Sequence, residues 1–193
     1  MLITNLETWT MRNHHKQKYI NIIELIRKSI VPQVWIGGGF LTRYINGEIL
    51  EGDIDLYCDS HKTFMYTLDK LKTNNCIEPI CNNANVRRLF YDNYPIHLIG
   101  LMYFDSARSI IESIDYTICQ FVYDFDKLYC NDTSLHDLGQ KRLIISNIGH
   151  GSSSSKVKRL LKYVRRGFTI DSNNLSYLLE NLSCSSNSNE YTN

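Results

Sequence analysis

Apolar residues fall at helical spacing early in the chain. Tyr19, Ile22, Ile23, Ile26 and Ile30 share one face, which predicts a helix over 16–29 that Pro32 shuts off. Residues 34–36 then form a short apolar strand running straight into Gly37, Gly38 and Gly39. A short helix is expected over 40–45, ended by Asn46-Gly47. Ile54, Leu56 and Cys58 alternate with Asp53, Asp55 and Tyr57, the period of a strand with one buried face. Asp59 or Ser60 can cap a following helix that carries Phe64, Met65, Leu68 and Leu71 on one side.

Residues 86–91 and 95–102 read as two strands of a hairpin turned at Asp92-Asn93. Asp105 is placed to cap a helix through Ile110, Ile111 and Ile114. Residues 115–123 form a continuous apolar run whose type, helix or strand, the pattern leaves open. After a serine loop at 152–155 a helix is expected over 156–166, ended by Gly167. Val157, Leu160, Leu161 and Val164 are expected as its buried stripe, with Lys158, Arg159, Lys162, Arg165 and Arg166 on the other faces. A last helix is expected over 175–182, and the polar stretch 183–193 reads as a disordered tail. The pattern predicts an α+β fold: a small mixed or antiparallel sheet flanked by helices in a head domain over 1–150, a helical extension with a basic helix over 151–182, and the tail.

Composition narrows the function classes. At 193 residues, 43% apolar and 21% charged, the chain can bury a core, and a net charge of +1 excludes a globally basic nucleic-acid binder. Contact with a polyanion would need a local patch, such as the basic faces of 156–166. None of the six cysteines forms a Cys-x-x-Cys pair, so a zinc site is not expected. No apolar run approaches the roughly 20 residues of a membrane span, and residues 1–16 lack the apolar stretch of a signal peptide. The expectation is a cytoplasmic protein with reduced thiols and no membrane partner.

The candidate chemistry lies between residues 37 and 55. Asp53 and Asp55, at i and i+2 on a strand, point the same way at a spacing of roughly 6.5–7 Å. Two like charges held together repel unless a cation sits between them, and magnesium, which takes oxygen ligands, suits that place. Glycines between a strand and a helix let backbone amides approach phosphate oxygens. A glycine-rich turn or a surface Asp-x-Asp is commonplace alone. Their order and spacing, with a short helix and a return strand between, point to phosphoryl chemistry.

The segment VWIGGGFLTRYINGEILEGDIDLYC resembles the signature of the DNA-polymerase-β-like nucleotidyltransferase superfamily. It is most similar to the class II branch that contains bacterial CCA-adding enzymes and poly(A) polymerases. Gly38 and Gly39 match the branch's glycines, and Asp53 and Asp55 its metal-binding pair; Thr42 and Arg43 stand where an arginine-aspartate pair is expected. DYTICQFVYD is similar to the branch's ribose-side motif, with Asp115, Thr117 and Ile118 in agreement, although Asp115 as a helix cap is the plainer alternative. Asp137-Leu138 resembles the turn that follows. KVKRLLKYVRRGFTI resembles the base-selecting helix, with Arg159 at the arginine position but Ser155 and Lys156 in place of its acids.

The resemblance covers about 33–170 and stops before the domains that grip tRNA, which argues against a complete CCA-adding activity. It implies a nucleotidyltransferase fold and a magnesium-dependent enzyme, two ions being expected at Asp53 and Asp55. The enzyme would move a nucleoside monophosphate from a triphosphate such as ATP to a hydroxyl acceptor, RNA or a tRNA-like molecule among the candidates. Gly38, Gly39, Arg43, Asp115, Arg159 and Lys162 are the expected nucleotide contacts. A catalytically idle nucleotide-binding or protein-interaction module, or a transferase acting on protein hydroxyls, are the alternatives. His97, on the later strand, is weighed as a ligand or proton shuttle against a half-buried structural histidine. Tyr163 could stack on a base or pack in the core, and Arg87 and Arg88 could meet phosphate or coat an edge.

Overall fold

A computed structural model describes residues 1–4, 16–30, 33–79, 85–147 and 153–186. Its strands are β1 (Leu2–Thr4), β2 (Val34–Gly37), β3 (Ile54–Cys58), β4 (Val86–Tyr91), β5 (Tyr94–Ile99), β6 (Phe121–Tyr123) and β7 (Leu128–Cys130). Its helices are α1 (Lys16–Ser29), α2 (Gly39–Ile45), α3 (His61–Thr73), α4 (Ala107–Ser113), α5 (Ser134–Gly139), α6 (Ser153–Arg165) and α7 (Ser172–Ser186). The strands form one sheet in the order β1-β7-β6-β2-β3-β5-β4. Every pairing is antiparallel except β3 with β5, between which the chain passes through α3 and β4. This is the α+β sheet-and-helix fold expected from the pattern.

The core forms where the apolar periods predict. Tyr19, Ile22, Ile23 and Ile26 of α1 are buried, and β3 buries Ile54, Leu56 and Cys58 while Asp55 and Tyr57 face the other side. Ser60, rather than Asp59, caps α3 by accepting from the Thr63 amide at 3.2 Å. The β4–β5 hairpin turns on Asp92 and Asn93, both with positive φ (46° and 66°), the left-handed pair that matches strand twist. Among the described residues no helix is long and apolar enough to cross a membrane, and Cys58, Cys76, Cys119 and Cys130 are free and buried.

The structure departs from the pattern in several places. Ser106, not Asp105, caps α4, exchanging bonds with Ser109, while Asp105 accepts from both hydroxyls. The run 115–123 divides into a 3₁₀ turn (Thr117–Cys119) and β6. β1, β7 and α5 are too short to show a period. Helix α6 begins at Ser153, inside the expected serine loop, and α7 runs to Ser186. The expected α6 stripe is wrong. Val157, Leu161 and Val164 are exposed, Leu160 is partly covered, and Tyr163 is the residue α6 buries. Its ring packs between Tyr116 and Phe168, with centroids at 5.6 and 5.8 Å, so one aromatic anchors the helix in place of an aliphatic row. Pro32 and residues 187–193 lie outside the described residues.

Candidate active site

Strand register builds the site. Gly37 on β2 is opposite Asp55 on β3, Asp55 is paired with His97 on β5, and His97 with Arg88 on β4. Four residues thus form one row across four neighbouring strands, and paired residues present their side chains to the same face. Asp53 enters this row from the residue before β3. His97 Nδ1 lies 3.2 Å from Asp53 Oδ2 and 3.5 Å from Asp55 Oδ1. One ligand atom from each of Asp53, Asp55 and His97 lies within 4.8 Å of the others.

Electrostatics tie the three together. The hydrogen bond from His97 holds the Asp53 carboxyl far below the usual carboxylate range, against a smaller opposing effect of burial. In return Asp53, then Asp55, raise the His97 pKa to about 9. When the imidazole is neutral, Arg88 Nε donates to His97 Nε2 at 3.1 Å on the far side of the ring, and the remaining ring proton sits on Nδ1, facing the aspartates. Arg87, by contrast, pairs with Glu78.

The glycine turn stands against this row. Gly38 has φ 75°, and a Cβ there would come 3.5 Å from Asp55 Oδ2. Its amide donates to the Phe121 carbonyl at 3.1 Å, so it serves backbone shape and not a phosphate. Gly39 opens α2, where the first amides have no partner within the helix. Thr42 Oγ1 donates to the Ile118 carbonyl at 2.7 Å and fastens α2 to the 3₁₀ turn.

Across the cavity, Arg159 Nη1 donates to Asp115 Oδ2 at 2.5 Å. Burial raises the Asp115 pKa above its ordinary value, and Arg159 pulls it back. The Cys119 thiol and the Tyr163 hydroxyl share a hydrogen bond of 2.7 Å, and burial pushes Cys119 up to about 11, so it is a thiol and not a nucleophile.

A single cavity of about 380 Å³ brings together Gly38, Gly39, Asp53, Asp55, Asp115, Arg159 and Lys162. Arg43 is elsewhere: it is buried beneath this floor and lines a neighbouring cavity. Asp115 is not a helix cap; its carboxylate faces Arg159. Tyr163 is packed in the core and also lines the cavity. His97, left open on the sequence, is central, and Tyr57 and Cys119 are among the other lining residues.

Residues 6–141 match the family described as "Gad2: Gabija anti-defense 2 family protein". The chain belongs to the Gabija anti-defense 2 family. Among solved structures, it superposes on the Thermotoga maritima CCA-adding enzyme complexed with tRNA with a TM-score of 0.66 at 15% identity, covering 94% of this chain and 46% of that one. A CCA-adding enzyme in complex with ATP gives 0.65 at 16% identity, over 92% and 46%. A tRNA nucleotidyltransferase with a primer tRNA and an incoming ATP analog gives 0.57 at 14% identity, over 79% and 47%. At these identities the likeness establishes the nucleotidyltransferase fold, and the chain spans a little under half the length of those proteins. No curated protein matches the sequence.

Proposed function

We propose that this Gabija anti-defense 2 family protein is a divalent-metal-dependent nucleotidyltransferase. It would transfer a nucleoside monophosphate from a nucleoside triphosphate to a hydroxyl acceptor. The observation that carries the reading is the convergence of Asp53, Asp55 and His97 within 4.8 Å beside the Gly38-Gly39 turn. Two carboxylate oxygens and an imidazole nitrogen form a donor set that fits a hard divalent cation, magnesium or manganese. When bound there, such ions activate an acceptor hydroxyl and steady the leaving oxygen.

The protein's own groups supply the rest. Asp53 is kept ionised by His97 across the whole neutral range, so it is ready to accept a cation at Oδ2 and is a poor proton acceptor. Gly39, at the start of α2, brings backbone to the cavity wall where a phosphate would lie, and Lys162 brings a positive charge to the same cavity. Asp115 and Arg159, held together, present a fixed polar wall for the sugar. In the reaction the acceptor oxygen bonds to the α-phosphorus, the bond to the β-phosphate breaks, pyrophosphate leaves and the hydroxyl proton passes to water.

The family's description directs the search for the acceptor to Gabija components first, and the fold neighbours direct it to RNA. The test is incubation with each α-labelled nucleoside triphosphate and magnesium or manganese, separately with total RNA and with Gabija components. Label should enter one acceptor class and be lost in Asp53→Asn and Asp55→Asn. Labelling that persists in both variants refutes the enzyme. Nucleotide binding with no transfer to any acceptor favours the idle binding module instead.

A further inference from the structure

A second cavity, of about 720 Å³, opens beside the first, and Lys162 stands in the wall of both. Its other walls are Arg43 of α2, the loop that carries Glu48 and Glu51, and Arg166 just past α6. Arg43 is only 5% exposed. Its Nη2 donates to the Asp53 carbonyl at 3.3 Å, which places the guanidinium directly under the aspartate pair. Its Nη atoms pack against Gly39 and Gly52, 3.5 and 3.4 Å from where a Cβ would stand, which is ordinary contact distance. Among the described residues no carboxylate comes within ion-pair distance of Arg43, and its buried Nε has no hydrogen-bond partner.

Arg166 repeats the feature. It lies over the rings of Tyr163 and Phe168, 5.4 and 5.8 Å from their centroids, and pairs through Nη2 with Glu48. Its Nη1 is buried without a partner. These two are the buried side-chain nitrogens left without a bond among the described residues, and both arginines line one cavity. Burying a cationic donor with no acceptor is costly, so such a pair is retained where an acceptor visits. Two guanidinium groups and an ammonium oppose two carboxylates here, and Glu48 already occupies one side of Arg166. The planar fork of arginine matches the oxygens of a phosphate.

We propose that this cavity is a phosphate subsite, in which Arg43, Arg166 and Lys162 hold a phosphate group next to the Asp53–Asp55 pair. Glu48 competes with that phosphate for Arg166. The source is either the polyphosphate tail of the nucleotide or the backbone of a polynucleotide acceptor. The subsite rests on the proposed transfer reaction only for that choice; the binding itself requires neither metal nor turnover.

The test is calorimetric titration of the full chain at low salt, without divalent cations. The probes are inorganic pyrophosphate and, separately, a single-stranded RNA oligonucleotide without terminal phosphate. Arg166→Gln should weaken one probe about tenfold or more, as loss of a charge-assisted hydrogen bond does. Arg43→Lys, which keeps the charge but loses the Nε donor, should weaken the same probe, and Glu48→Gln should tighten it. Loss for pyrophosphate assigns the nucleotide tail, and loss for RNA assigns the acceptor. Lys158→Gln, on an exposed face of α6, removes one charge outside the cavity. Equal weakening in Lys158→Gln, or unchanged binding of both probes in Arg166→Gln and Arg43→Lys, overturns the subsite. A protein that transfers nucleotides yet gives that result loses the subsite and keeps the enzyme.

Discussion

Replacing Arg159 by Gln should destabilise the fold by about 1–2 kcal/mol at pH 8 and by much less at pH 5. The side chain of Asp115 is 10% exposed and its Oδ2 accepts from Arg159 at 2.5 Å. Breaking a fully buried ion pair costs about 3–5 kcal/mol. Arg159 is 46% exposed, so solvent screens the pair and the figure is reduced accordingly. The sign of the pH effect follows from the Asp115 pKa, raised by burial against the pull of Arg159. The folded chain then holds that proton more tightly than the unfolded chain. The stability this confers is present below the unfolded carboxylate pKa and is lost as pH rises through the folded value. Without Arg159 the folded pKa climbs further, each unit adding about 1.4 kcal/mol of penalty to the ionised form. Lowering the pH protonates Asp115 and removes the penalty. Urea unfolding of the wild type, Arg159→Gln, Asp115→Asn and the double variant at both pH values checks this. The double variant should recover most of the stability at pH 8. Equal losses at the two pH values, or no recovery in the double variant, would refute the pair.

Three further outcomes follow from the same geometry. His97→Gln should weaken manganese binding about tenfold or more, and wild-type affinity should rise as pH approaches about 9, where His97 sheds its proton; electron paramagnetic resonance titration reads both. Gly38→Ala should lower stability by about 1 kcal/mol in thermal melts, because φ 75° disfavours a side chain, while the new methyl meets Asp55 Oδ2 only at an ordinary contact distance of 3.5 Å. Thr42→Val leaves the buried Ile118 carbonyl without the Thr42 hydroxyl and should cost about 1–2 kcal/mol in urea unfolding.

The sequence made the local parts legible and left the assembled ones obscure. The Asp53–Asp55 strand shows because its two periods are opposite in character, Ile54 and Leu56 against the carboxylates, over five residues. Helix α1 shows because four apolar side chains fall on one face. His97 stayed ambiguous because its role depends on a parallel pairing between β5 and β3, formed only after α3 and β4 have carried the chain across the sheet. The exposed apolar side chains of α6 misled because amphipathic spacing signals a buried face, whereas a single aromatic, Tyr163, anchors that helix. Arg43 was placed correctly on its helix, but its side chain turns to the Asp53 carbonyl, a partner ten residues on that only the folded chain brings beside it. Gly38 was read as an amide donor; the pairing of β2 with β6 takes that amide first.

Diffraction from crystals soaked with manganese and a non-hydrolysable nucleoside triphosphate, recorded near the manganese edge, would locate the cation against Asp53, Asp55 and His97. If the triad holds the cation, an anomalous peak will lie within bonding distance of carboxylate oxygens of Asp53 and Asp55 and of His97, with the nucleotide phosphates beside it. A peak at other side chains, or a nucleotide bound with no peak near this triad, would contradict it.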